Sequence, residues 1–171
     1  MLSAWRYGMP LRFEIGNKFP SFSLKGEDER VMSFEELSDG MPLLLVFYRG
    51  PWWPKWQVQL SELVEFHRST NVAYCRVAAV SVDPPRVQQA FRAGLGAKFP
   101  FLSDQDLELT EALGIKETTD KIHGPLPVPF TFALLPDQTI FRIFNGWYFV
   151  GRPTPEELRQ TIRDLMGRTV K

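Results

Sequence analysis

LLLVFYRGPWWPKWQVQLSEL, residues 43–63, is the stretch on which the reading of this chain turns. Residues 43–48 are apolar without alternation, which predicts a strand buried on both faces. Arg49-Gly50-Pro51 breaks that run. Beyond the break Trp56, Leu60, Leu63, Val64 and His67 recur at helical spacing, so an amphipathic helix follows, with one apolar stripe toward the sheet and Trp56 turned partly inward. Whatever lies at the break sits at a helix N-terminus, where unpaired N–H groups and the positive end of the helix dipole favour an anion by about 0.3–1 kcal/mol. Thiolates are among the groups that proteins place there.

Outward from that stretch the pattern repeats. Residues 72–82 read as a second strand with Cys75 inside it, and Asp83-Pro84-Pro85 ends it, supplying an N-cap and a first-turn proline for a helix that carries Val87, Ala90 and Phe91. Strand, helix, strand, helix is the α/β alternation. Residues 107–113 predict a short helix stopping at Gly114, while Gly94-Leu95-Gly96 has the wrong neighbours for a phosphate loop. Residues 116–129 are polar and then proline-rich, an ordered loop leading into a last hairpin of residues 130–135 and 139–144 around Pro136-Asp137-Gln138. Thr154-Pro155-Glu156-Glu157 caps a final helix with Leu158, Ile162 and Leu165 inward and Gly167 at its end. Toward the N-terminus, residues 19–24 and 30–32 flank Lys25-Gly26-Glu27-Asp28 as a short hairpin. Ser33 and Glu36 then form a capping box for a helix that Asp39-Gly40 ends.

Composition narrows the class. With 171 residues and 44% hydrophobic content the chain suits one domain with a sizeable core. Lys and Arg total 20, matched by 20 Asp and Glu, and no basic block is present, which argues against nucleic acid as a partner. Residues 1–10 contain no apolar h-region, and no run approaches the roughly 20 residues of a membrane span, so a soluble cytoplasmic protein is expected. One cysteine excludes an internal disulfide and agrees with a reducing compartment. No zinc-type ligand set surrounds His67 or His123, so neither metal nor cofactor is expected. Asp104 and Asp106 read as a turn and a helix cap rather than a catalytic carboxylate pair.

Tyr48-Arg49-Gly50-Pro51-Trp52, followed by Trp53-Pro54-Lys55-Trp56 and Gln59-Leu60, resembles the signature R-G-x-W-C-P-x-C-x-x-Q-L. That signature belongs to peroxiredoxin-like proteins of the alkyl hydroperoxide reductase/thiol-specific antioxidant family, in the thioredoxin superfamily. Residues 15–22 are similar to the family's G-x-x-x-P-x-F opening, Ala79-Val80-Ser81-Val82-Asp83 to its second core strand, residues 99–104 to its F-P-x-L-x-D segment, and residues 128–132 to the cis-proline strand of thioredoxins. The likeness covers nearly the whole chain in the right order. It implies a thioredoxin-like α/β fold, a central mixed sheet flanked by helices with an N-terminal hairpin, as a single domain over residues 15–171 behind an arm of residues 1–14. It also implies thiol-dependent reduction of a peroxide or disulfide, a thioredoxin-type reductant and a possible homodimer. In that mechanism a thiolate at the Trp56 position attacks the peroxide and becomes a sulfenic acid, and a thiol at the Trp53 position resolves it as a disulfide. Tyr48, Arg49, Pro51, Trp52, Pro129 and Thr131 form the pocket, with Pro129 in cis. No arginine stands near Val128, where relatives keep one to stabilise the thiolate, and only Arg49 is available to substitute.

Both redox positions hold tryptophan. An indole has one N–H donor and no ionisable nucleophile, so it neither attacks a peroxide nor forms a disulfide, and the family activity is expected to be lost or strongly reduced. Two readings of the tryptophans stand. Either Trp53 and Trp56 fill the space of the former site, or Trp52, Trp53 and Trp56 join Tyr48, Phe130, Trp147 and Arg49 in an aromatic mouth for a hydrophobic ligand or protein partner. Cys75 reads as a small buried hydrophobe rather than a peroxidatic residue. Residues 1–10, with Trp5, Tyr7 and Pro10, read as an arm that packs on the body or on a partner.

Overall fold

Strand β3 (Leu43–Phe47) is buried along its whole length because it runs through the middle of a sheet covered on both faces. The structure, a computed structural model, describes residues 12–69, 74–146 and 152–169. The other elements are β1 (Ser23–Gly26), β2 (Val31–Ser33), α1 (Phe34–Ser38), α2 (Pro54–Ser69), β4 (Arg76–Ser81), α3 (Pro85–Leu95), β5 (Phe101–Ser103), α4 (Glu108–Ala112), β6 (Lys116–Glu117), β7 (Leu126–Pro127), β8 (Phe130–Leu134), β9 (Ile140–Asn145) and α5 (Pro155–Thr169). The main sheet has 7 strands in the order β2-β1-β5-β4-β3-β8-β9. β4 lies parallel to β3 and β5, whereas β8 pairs antiparallel with β3, so the sheet is mixed.

The two-residue period of a strand sends alternate side chains of β3 to opposite cores. Leu43, Leu45 and Phe47 join Phe130, Phe132 and Leu134 in one core, with Leu37 of α1 and Leu109 of α4. Leu44, Val46 and Tyr48 enter the other, with Trp56, Leu60, Leu63 and Val64 of α2 and Leu158, Ile162 and Leu165 of α5. Two-sided burial is the reason the sequence here runs apolar without alternating.

Local signals translate directly into caps. The N–H of Glu36 donates to Ser33 Oγ at 3.4 Å while the N–H of Ser33 donates to Glu36 Oε2 at 3.0 Å, and Asp39 ends α1 in the left-handed conformation. Thr154 and Glu157 make the same reciprocal pair at the start of α5, at 2.7 and 3.2 Å. The Asp104 carboxylate accepts from the N–H groups of Leu109 and Thr110 at 3.2 and 2.8 Å, but Leu107, not Asp104 or Asp106, holds the cap position of α4.

Elsewhere the structure corrects the expectation. Pro84, not Asp83, holds the cap position of α3, because the Asp83 carboxylate accepts instead from the Ser81 hydroxyl at 2.7 Å. Gly167 lies inside α5 rather than at its end, since one glycine costs a helix only about 1 kcal/mol against alanine. Part of the expected loop over residues 116–129 pairs as the β6–β7 ladder. The strand expected over residues 72–82 is formed from Arg76 onward, and Cys75, buried, stands just ahead of it. Residues 12 and 13 lie on the body, through the Arg12 N–H to the Leu113 carbonyl at 3.3 Å and Phe13 against the first core. Trp5, Tyr7, Pro10 and Trp147 lie outside the described residues. Among the described residues no helix is long and apolar enough to cross a membrane.

Candidate functional site

Gly50 turns the chain from β3 toward α2. Its φ of 151° belongs to glycine, and the Trp52 indole folds back so closely that a Cβ at residue 50 would stand 2.2 Å from Trp52 Nε1. Pro51 follows, half-buried, its carbonyl accepting from Gln57 Nε2 at 3.1 Å. Pro54 opens α2, whose first turn holds no acidic side chain, so nothing in the helix itself neutralises the positive end of its dipole. Trp53 sits half-buried at this mouth. Trp56 points down beneath the helix, 1% exposed, with its ring centroid 6.2 Å from that of Tyr48.

Tyr48 is a buried structural donor. Its hydroxyl donates to Gln88 Oε1 at 2.5 Å, and the Gln88 amide donates to Ser81 Oγ at 2.8 Å and the Leu102 carbonyl at 2.7 Å. Burial pushes the Tyr48 phenol far above its ordinary pKa.

Arg49 faces carboxylates. Its Nη2 lies 3.0 Å from Glu117 Oε2 and 3.1 Å from Asp120 Oδ2. Burial works to raise the Glu117 pKa, but hydrogen bonds from the Thr119 hydroxyl and N–H, with the Arg49 charge, hold it below the usual carboxylate range. Asp120 is held lower still, first by the backbone N–H of His123 and then by its ring. That ring lies parallel to Trp52 with centroids 3.6 Å apart and 7° between planes, while Trp53 stacks at 5.7 Å and 29°. The Arg49 guanidinium also sits 5.2 Å from the Trp53 ring.

The pocket residues expected from the sequence therefore divide. Arg49, Trp52 and Trp53 meet at the mouth together with Glu117, Asp120 and His123, whereas Tyr48 and Trp56 lie in the core below. Phe130 belongs to the core on the opposite face of the sheet and does not join them. Thr131 lines a cavity of about 30 Å³ between α2 and α5, beside Gln59 and Pro153, with room for one water. Pro129 departs from expectation: every peptide bond among the described residues is trans. Trans is the form X–Pro prefers by about 0.5–1 kcal/mol. The Pro129 carbonyl accepts from the Gly146 N–H at 2.8 Å as the chain enters β8.

Arg49 is not the cation beside position 56. Arg152, in the segment ahead of α5, sets its guanidinium carbon 4.1 Å from the Trp56 ring centroid. Burial lowers the Arg152 pKa, and the Glu62 charge acts in the other direction. Arg152 was not among the residues expected at the site. Glu117, Asp120 and His123 did leave a signal, polar side chains at three-residue intervals, which holds Asp120 and His123 on one hydrogen-bonded turn. Elsewhere, His67 is half-buried edge-on to Phe99 at 5.3 Å, and burial lowers its pKa. No group of three or more potential metal ligands is present among the described residues. The Cys75 thiol is pushed up to about 12 by burial.

The AhpC/TSA family model matches residues 15–143. A Mycobacterium tuberculosis protein carrying a provisional peroxiredoxin name is 29% identical over 103 residues, which span 60% of this chain and 65% of that protein. Among solved structures, reduced Prx3 of Vibrio vulnificus in complex with hydrogen peroxide is similar at a TM-score of 0.78 and 18% identity, over 88% of this chain and 99% of the other. The peroxidoxin BcpB of Mycobacterium tuberculosis gives 0.76 and 16%, over 91% and 97%. Enterococcus faecalis AhpC gives 0.72 and 23%, over 91% and 92%. These likenesses show the fold: the mixed sheet between two helical layers is the thioredoxin-like arrangement of the peroxiredoxins.

Proposed function

The chain belongs to the AhpC/TSA family, and from that premise we propose that it is a peroxiredoxin-like antioxidant oxidoreductase whose thiol chemistry is silenced at Trp53 and Trp56. The observation that carries this reading is the placement of Trp56. Its indole fills the core under the first turn of α2, at the position where the family pattern puts the attacking thiol, and it is 1% exposed. No other thiol replaces it. The chain has one cysteine, Cys75, buried and held protonated, which removes both the nucleophile and any partner for a disulfide.

In this reading the ancestral substrate is a peroxide or disulfide, the reductant a thioredoxin-type dithiol, and the protein a cytoplasmic one able to form a homodimer. Residues 15–171 act as one thioredoxin-like domain behind an arm of residues 1–14. A ligand-binding role for the aromatic mouth draws less support. Among the described residues Trp52 is the tryptophan most open to solvent, and His123 and Trp53 already stack on it.

The direct test is peroxide consumption by the chain as it stands, with dithiothreitol or thioredoxin as reductant. The expected rate is that of the reductant alone. Saturable turnover would overturn the silent-site reading and direct attention to Cys75.

A further inference from the structure

We propose that His123 is a pH-responsive latch on the mouth, whose protonation tightens the hold between the turn after β6 and the turn that leads from β3 into α2. The proposal stands on the geometry of that seam and not on the redox reading of Trp53 and Trp56. The imidazole lies flat on the Trp52 indole, centroids 3.6 Å apart and 7° between planes, while its Nδ1 stands 3.2 and 3.1 Å from the two carboxylate oxygens of Asp120. Two contacts therefore cross the seam: His123 on Trp52, and Asp120 with Glu117 on Arg49. Asp120 serves both, since it orients the imidazole from its own turn and meets Arg49 Nη2 at 3.1 Å.

Protonation changes the stack most. A neutral imidazole on an indole is a pair of uncharged rings, whereas an imidazolium there is a cation on the face of the strongest aromatic acceptor, worth about two- to fivefold in an equilibrium constant at an exposed site. The hydrogen bond to Asp120 outlasts the change, because a neutral ring with its proton on Nδ1 donates to the same carboxylate, and it gains charge assistance in the protonated ring. Asp120 and Glu117 favour the imidazolium, and both are held below the usual carboxylate range, so they stay charged. Arg49 offsets part of that charge from the β3–α2 turn, as do Lys121 of the same turn as His123, Lys55 in the first turn of α2 and the positive end of that helix. Of the groups named, only the imidazole has an ordinary pKa between pH 5 and 8. The latch is thus tight on the acid side of that window and slack on the alkaline side.

The test follows tryptophan emission of the full chain and of Trp52→Phe across pH 5 to 8. An imidazolium stacked on an indole quenches it, so the Trp52 share, the difference between the two proteins, is expected to fall on acidification with the midpoint of the His123 ring titration read by NMR. His123→Gln should abolish that change and His67→Gln should leave it. A double-mutant cycle between Trp52→Leu and His123→Gln, read by urea unfolding, separates a latch from a passive quencher. The coupling, as a ratio of unfolding constants, should be about two- to fivefold larger at pH 5.5 than at pH 8. A Trp52 share that does not change with pH, a change that survives His123→Gln, or a coupling equal at the two pH values overturns the proposal.

Discussion

At Gly50 the indole of Trp52 occupies the space that any other side chain would need. Gly50→Ala forces a strained positive φ and drives Trp52 off its stack with His123, so a loss of about 1–3 kcal/mol is expected, with a change in near-ultraviolet circular dichroism. Unchanged stability with an unchanged aromatic signal would mean the stack is not as described. Cys75 makes a second prediction. Its thiol titrates at about 12 when folded against an ordinary 9.0, so the folded pKa is raised. The stability this contributes is complete below the ordinary value and is lost as pH rises from there through the folded one. Urea unfolding measured across that alkaline range should therefore fall less steeply for Cys75→Ala than for the parent chain. At neutral pH a disulfide reagent should meet no fast-reacting thiol until the chain unfolds. At this scale the sequence was informative about chemistry that is missing, since tryptophan at residues 53 and 56 rules out a nucleophile without any coordinates. It was silent on the stack between Trp52 and His123, which joins segments far apart in the chain.

Elements whose signals are local were legible. The Ser33–Glu36 and Thr154–Glu157 capping boxes need four adjacent residues, and both form as read. Thr154→Ala should cost about 0.5–2 kcal/mol in chemical unfolding, with loss of helicity at the start of α5. A cost near zero would show that the carboxylate of Glu157 alone holds that terminus. Where two local signals compete, pattern alone does not decide between them. Asp83 had the right identity for a cap but gave its carboxylate to Ser81, and β6 and β7 are too short to show any periodicity. The turn between those strands is fastened by Arg49 across a sequence distance that no pattern spans. Arg49→Met leaves Glu117, whose side chain is 3% exposed, without its cation, so a destabilisation of about 3–5 kcal/mol is predicted from the cost of breaking a buried pair. It should shrink on acidification, as Glu117 takes up a proton. A penalty independent of pH would contradict the ion-pair account.

For the molecule as a whole, the fold was legible because burial on both faces writes itself into β3 and β4 as unbroken apolar runs, with helices of one-sided pattern between them. What the sequence could not show is how the two cores divide the aromatic residues. One of the two readings of the tryptophans grouped Phe130 with Trp56 around one mouth, yet the two belong to different cores. Nor could it show that the C-terminal segment supplies the cation at position 56. On the proposed reading, Trp53 and Trp56 are the two side chains that silence the thiol chemistry of this scaffold. The most direct measurement is peroxide consumption, with dithiothreitol or thioredoxin as reductant, by the chain as it stands and by a Trp53→Cys/Trp56→Cys variant confirmed to be folded. Turnover by the variant and none by the parent is expected. A folded variant that consumes no peroxide, or a parent that does, would contradict it.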